Sequence, residues 1–187
     1  MNSTYLIIAV VVILLIMGII MAVGFSRRQR AKRLQNKFGP EYDRTVENAG
    51  DEKKAIAELD ERQKRVESFH IHPLPEEERE RYLEQWKVVQ AKFVDEPGQA
   101  TVEADGLITE VMKVRAYPES DFEQRAADLS VNYPELVSNY RAARAIALKN
   151  EQHSANTEEL RQAFIYYRSL FDELLKEDTV IPEKASK

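Results

Sequence analysis

Tyr5-Leu6-Ile7-Ile8-Ala9-Val10-Val11-Val12-Ile13-Leu14-Leu15-Ile16-Met17-Gly18-Ile19-Ile20-Met21-Ala22-Val23-Gly24-Phe25 is a run of 21 residues with no charged side chain. Behind it, Ser26 to Lys37 carries Arg27, Arg28, Arg30, Lys32, Arg33 and Lys37, and no acid. At 1.5 Å per residue a helix of that length covers roughly 31 Å, about one hydrocarbon core. A helix also satisfies every backbone polar group internally, which lipid demands. A cleaved leader wants a charged start, a shorter apolar run and a small-residue cleavage site. The stretch has none of these, so the sequence predicts an uncleaved single-pass anchor.

The charge around the run sets an expected direction. Cations beside a spanning helix stay on the cytoplasmic side. Residues 1–4 are expected outside, 5–25 in the cell membrane, 26–37 as a basic juxtamembrane segment, and the body in the cytoplasm. The six cations are read first as topology determinants. They also attract anionic headgroups by about 1 kcal/mol each near a surface, so the lipid bilayer is an expected partner.

Working outward, the remaining chain is of opposite sign. Six of the 27 Lys and Arg lie in the collar, leaving 21 against all 32 acids, a net charge of −11. Such a body repels anionic lipid and nucleic acid alike, and no nucleic-acid partner is expected. The absence of cysteine excludes disulfides, thiol catalysis and cysteine-based zinc sites.

The body reads as all-α: no stretch alternates with period two over strand length, and apolar residues recur at helical spacing. The expected fold is one transmembrane helix followed by an acidic helical bundle of five or six helices over residues 38–178, with a disordered tail at 179–187. Phe38-Gly39-Pro40 ends the first helix and opens the next, since Gly stops a helix and Pro suits a first turn. A thin seam of Ile56, Leu59, Gln63, Val66 and Phe69 marks a helix touching one partner edge. Helix resumes at Glu76 with Tyr82, Leu83, Trp86, Val89 and Phe93 inward. After an expected turn over Asp95 to Gly98, the next helix turns Ala104, Leu107, Ile108, Val111 and Met112 inward. Ser120-Asp121-Phe122-Glu123 has capping-box spacing, a short helix is expected from it to about Val131, and Asn132-Tyr133-Pro134 is the next break. The turn formers of residues 128–134 also offer a recognition loop. Leu136, Val137, Tyr140, Ala143, Ala147 and Leu148 mark the next inward face. Thr157 is the expected cap of the last helix, with Leu160, Ala163, Phe164, Tyr167, Leu170, Phe171 and Leu174 inward.

Chemistry is sparse. His70 and His72, two apart on an extended segment and followed by Glu76, Glu77, Glu78 and Glu80, form the best metal-ligand pattern. It is not the i, i+4 pair of a zinc protease, and the plainer reading is histidines at a helix start. No metal site, cofactor or catalytic residue is expected. There is no Gly-rich phosphate loop and no nucleophile signature, so no enzyme is expected.

Phe38-Gly39-Pro40-Glu41-Tyr42-Asp43-Arg44-Thr45-Val46, Tyr82-Leu83-Glu84-Gln85-Trp86 through Phe93-Val94-Asp95, and Asp121 to Ser130 together resemble an uncharacterised bacterial family. Its members are small proteins with one N-terminal spanning segment, labelled hypothetical membrane or secreted proteins. The resemblance covers most of the chain, and the Phe-Gly-Pro-Glu-Tyr-Asp stretch is its most specific part. It implies no activity and no site residues. The "secreted" label conflicts with the positive collar, and the charge argument is kept. The leading expectation is a membrane-tethered protein-interaction module at the inner membrane face, with an unidentified protein partner. The alternative is a ligand- or metal-responsive sensor.

Overall fold

A computed structural model describes residues 3–176, except for the side chains of 3–14, 20, 23 and 27. The tail expected at 179–187 lies outside the described residues. Among the described residues the chain is all-α, with eight helices and no strand. They are α1 (Ser3–Phe38), α2 (Pro40–Ala49), α3 (Glu52–Glu67), α4 (Glu76–Lys92), α5 (Pro97–Val114), α6 (Phe122–Asn132), α7 (Pro134–Glu151) and α8 (Thr157–Leu175). Seven therefore follow the first, where five or six were expected; the short α2 and α6 stand as separate elements.

Among the described residues no helix is long and apolar enough to cross a membrane. The span expected at 5–25 includes 5–14, 20 and 23, whose side chains lie outside the described set. Its described large apolar residues, Leu15, Ile16, Met17, Ile19, Met21 and Phe25, are all exposed.

The chain divides into two compact units, Met1–Leu59 and Asp60–Lys187. In the first, α1 ends at Phe38 because Gly39 takes φ 50, and Pro40 then occupies the first turn of α2. A positive φ costs glycine nothing, and proline lacks the amide that a first turn leaves unpaired. Gly50 (φ 64) closes α2 in the left-handed conformation, its amide donating to Val46 O. Leu34, Phe38, Glu41, Tyr42, Thr45, Ala55 and Leu59 are buried. The Tyr42 hydroxyl donates to Glu52 Oε1 at 2.9 Å. Burial first, and then Glu52, push that hydroxyl up to about 12.

In the second unit α8 is central and packs along both α5 and α7, while α4 lies on α5 and α6 on α7. Trp86 stacks on Phe171 at 4.5 Å, and Tyr140 meets Tyr167 edge-on at 5.9 Å. Such pairs contribute about 0.5–1.5 kcal/mol each beyond their buried area. Around them close Ile108, Val111, Val137, Ala163, Leu170 and Leu174. The inward faces expected for α4, α5 and α8 are the observed ones. Leu148, expected inward, is 42% exposed. Its neighbour Ala147, also expected inward and about 100° round the helix, is buried.

Three local expectations shift. The cap of α6 is Asp121, which accepts the Gln124 amide at 2.9 Å, not Ser120. The cap of α8 is Asn156, not Thr157, in a reciprocal box with Glu159. Residues 128–131 are helical, as the short helix expected to about Val131 has them, and form no recognition loop; α6 runs one residue further, to Asn132, and Asp128 to Val131 are buried. Asp128 accepts from Arg65 Nε at 3.0 Å and Gln124 Nε2 at 2.8 Å, so a carboxylate counted as a turn former is fixed in the interior.

Candidate functional site

The basic residues expected to meet a membrane all lie on the last turns of α1. At 100° per residue, Arg27, Arg28, Arg30, Lys32, Arg33 and Lys37 spread around the helix axis instead of lining one face. Arg28, Arg30, Lys32 and Arg33 are exposed. Lys37 is half-buried, with its Nζ 5.8 Å from the Phe38 ring centre.

His70 and His72 are exposed on the connector between α3 and α4. Among the described residues no group of three or more His, Cys, Asp or Glu is placed to hold a metal ion. His72 instead acts through its backbone. Its amide donates to Arg115 O and its carbonyl accepts from Arg115 Nε, both at 3.3 Å.

Arg115, at the end of α5, is 1% exposed. Its Nη1 donates to the Tyr133 hydroxyl and to Leu174 O, each at 2.9 Å. Leu174 O belongs to the last turn of α8, where carbonyls lack helical partners and the dipole favours a cation. One side chain thus ties the connector, the α6–α7 break and the end of α8.

A second polar cluster lies inside the bundle. The Tyr140 hydroxyl donates to Asp105 Oδ1 at 3.1 Å and accepts from Arg125 Nε at 2.8 Å. Arg125 Nη2 stands 3.8 Å from Asp105 Oδ2. Burial, and then the Asp105 carboxylate, hold the Tyr140 hydroxyl above the ordinary tyrosine range. Burial does the same for Tyr167, with Asp105 adding to it, and the Tyr167 hydroxyl is buried without a hydrogen-bond partner among the described residues. Arg125 also lines a cleft of about 350 Å³ between α5 and the 117–120 turn.

Two surface hollows flank α4. Between α4 and α8, Trp86, Phe93, Phe164 and Ile165 line a hollow of about 470 Å³. Its Arg168 already binds Asp172 at 2.7 Å and lies over Trp86 at 5.3 Å, while Arg161 binds Glu158. Between α4 and α5, Val88, Val89, Gly106 and Leu107 floor a groove of about 400 Å³ rimmed by Gln85, Glu103 and Glu110. Val88 is 68% exposed there, and a Cβ placed on Gly106 would meet nothing within 4 Å. Val102, one turn before Gly106, is also exposed. Lys92 holds Glu103 at 2.6 Å and its bond lowers that carboxyl's pKa.

Comparison with protein-family models, curated proteins and solved structures finds no match. Sequence reasoning missed Arg115, Asp105, Arg125 and the groove. The available signal was an acid on a buried stripe: Asp105 follows Thr101 by four residues and precedes Ile108 and Met112 by three and seven.

Proposed function

We propose that this chain is a single-pass membrane-anchored helical module whose acidic body docks another protein near the inner face of the membrane. The 21 uncharged residues from Tyr5 to Phe25, followed by six cations without an acid, support the anchor and its direction. The α4–α5 groove carries the docking half of the reading. It offers an apolar floor with acids on its rim, on a body of net charge −11. Gly106 leaves room for a partner's backbone to approach. The occupant that fits is an amphipathic helix with a narrow apolar face and basic flanks. Covering the Val88 side chain contributes about 1 kcal/mol, and opposite charge adds rate and specificity that salt screens. The hollow between α4 and α8 suits such a helix less, because its arginines match the sign of the partner's basic flanks.

The test uses the full chain in detergent micelles and a leucine–lysine amphipathic helix as probe. Saturable binding that weakens with salt, and is lost in both Val88→Asp and Gly106→Leu, is the expected result. A Cβ at Gly106 meets nothing within 4 Å and the outer carbons of a leucine enter the groove, so unchanged affinity in Gly106→Leu overturns the groove. Orientation is tested by a reporter fused after Lys187 that works only in the cytoplasm; a silent fusion overturns the inside assignment.

A further inference from the structure

The cleft between α5 and the 117–120 turn has chemistry that the docking groove does not use. Its inner end is Arg125, whose side chain is 13% exposed. Among the described residues the guanidinium spends only Nε on a hydrogen bond, to Tyr140. Nη2 has only the 3.8 Å approach of Asp105, so the fork retains N–H donors without hydrogen-bond acceptors. Ser120 lines the same cleft, and its Oγ is buried without a partner among the described residues. Buried donors are rarely left unmade, so the Ser120 hydroxyl points to a missing acceptor, and the Arg125 fork beside it offers free N–H groups to the same cleft. Tyr140 and Asp105 fix Arg125 from behind, which preorganises the fork.

The mouth carries the other sign. Glu110 and Glu119 line it; Glu119 is held by Lys113, whereas Glu110 makes no hydrogen bond or ion pair among the described residues. A simple anion therefore meets a cation at the depth of the cleft and acids at its entrance. A cation meets the reverse. A molecule carrying both charges matches both ends, with Met112, Tyr117 and Pro118 supplying apolar wall. The volume, about 350 Å³, lies at the small end of ligand pockets, which run from about 300 to 1,000 Å³.

We propose that this cleft binds a small zwitterion of the amino-acid class. Its carboxylate sits between the Arg125 fork and the Ser120 hydroxyl, and its ammonium faces Glu110. The cleft is separate from the α4–α5 groove except for Glu110, which borders both.

The experiment is ligand-observed saturation-transfer NMR and thermal shift on the full chain in detergent micelles. The probes are L-leucine, L-phenylalanine and 6-aminohexanoate, each with its methyl ester and its N-acetyl form. The expected result is saturable binding of at least one zwitterion, with both blocked forms about tenfold weaker or more, since each loses a charged hydrogen bond. Ser120→Ala and Glu110→Gln are expected to weaken the zwitterion while leaving the ligand-free melting temperature in place, because neither side chain makes a hydrogen bond or ion pair among the described residues and Glu110 has only a through-space attraction to Arg81. Ser120→Ala must leave the amphipathic helix probe binding as before, which separates this site from the groove. No saturable binding at millimolar concentration, equal binding of the blocked forms, or unchanged affinity in both variants overturns the proposal.

Discussion

Replacing Arg115 with Met keeps an unbranched stem of similar length and removes the head. Three acceptors lose their donor: Leu174 O and the Tyr133 hydroxyl, each at 2.9 Å, and His72 O at 3.3 Å. A hydrogen bond from a charged donor contributes about 1.5–3 kcal/mol, so the two short bonds alone amount to about 3–6 kcal/mol. Releasing a buried guanidinium from its desolvation penalty returns part of this, and about 3 kcal/mol remains. At about 2.1 cal/mol/K per residue over roughly 130 residues, Tm falls by about 11 °C. Arg115→Lys reaches fewer acceptors and should fall about half as far. Far-ultraviolet circular dichroism of the full chain in micelles gives the melt. Hydrogen exchange gives the location: the His72 amide, which donates to Arg115 O, and the last turn of α8 should lose protection together. A Tm within about 3 °C of the parent, with His72 still protected, refutes the tie.

Gly106→Ala should raise stability by about 1 kcal/mol, near 4 °C, because Gly106 lies inside α5 and an added Cβ meets nothing; a denaturant melt checks it, and a loss would mean that α5 is strained there. Asn156→Ala removes the α8 capping box and should cost about 1 kcal/mol, read in the same melt. Tyr42 predicts an alkaline limit. Its folded pKa, about 12, lies above the ordinary 10.0, so the native state holds the proton more tightly. Its contribution is complete below pH 10.0 and is lost as pH rises towards about 12. Urea melts across that window should show a shallower decline for Tyr42→Phe than for the parent; parallel curves would remove Tyr42 as the cause.

Much of the helical framework was legible because proline and glycine punctuate it. Gly39 with Pro40, Gly50 and Pro134 stand at observed boundaries. Pro97 reads as part of a turn in the sequence, although it opens α5. The missed caps share one cause. Ser120 beside Asp121, and Asn156 beside Thr157, are adjacent cappers, and only the backbone decides which oxygen reaches the free amide. The recognition loop read into 128–134 fails for another: buried Asp128 pairs with the half-exposed Arg65, 63 residues away, and stays inside α6. The site was less legible for the same reason. Arg115 reaches across 59 residues to Leu174, and Asp105 across 35 to Tyr140, separations that no local pattern encodes. Even so, Asp105 sits at core spacing on α5, and a lone acid in an apolar stripe is a readable anomaly.

The cations on α1 occupy nearly every direction around its axis. A one-sided stripe would lock a helix in both depth and rotation. A full ring resists vertical displacement at a charged surface yet is indifferent to spin. On the proposed anchor this acts as a swivel bearing: the depth of the helix is set, and its compass direction is left to whatever the body grips.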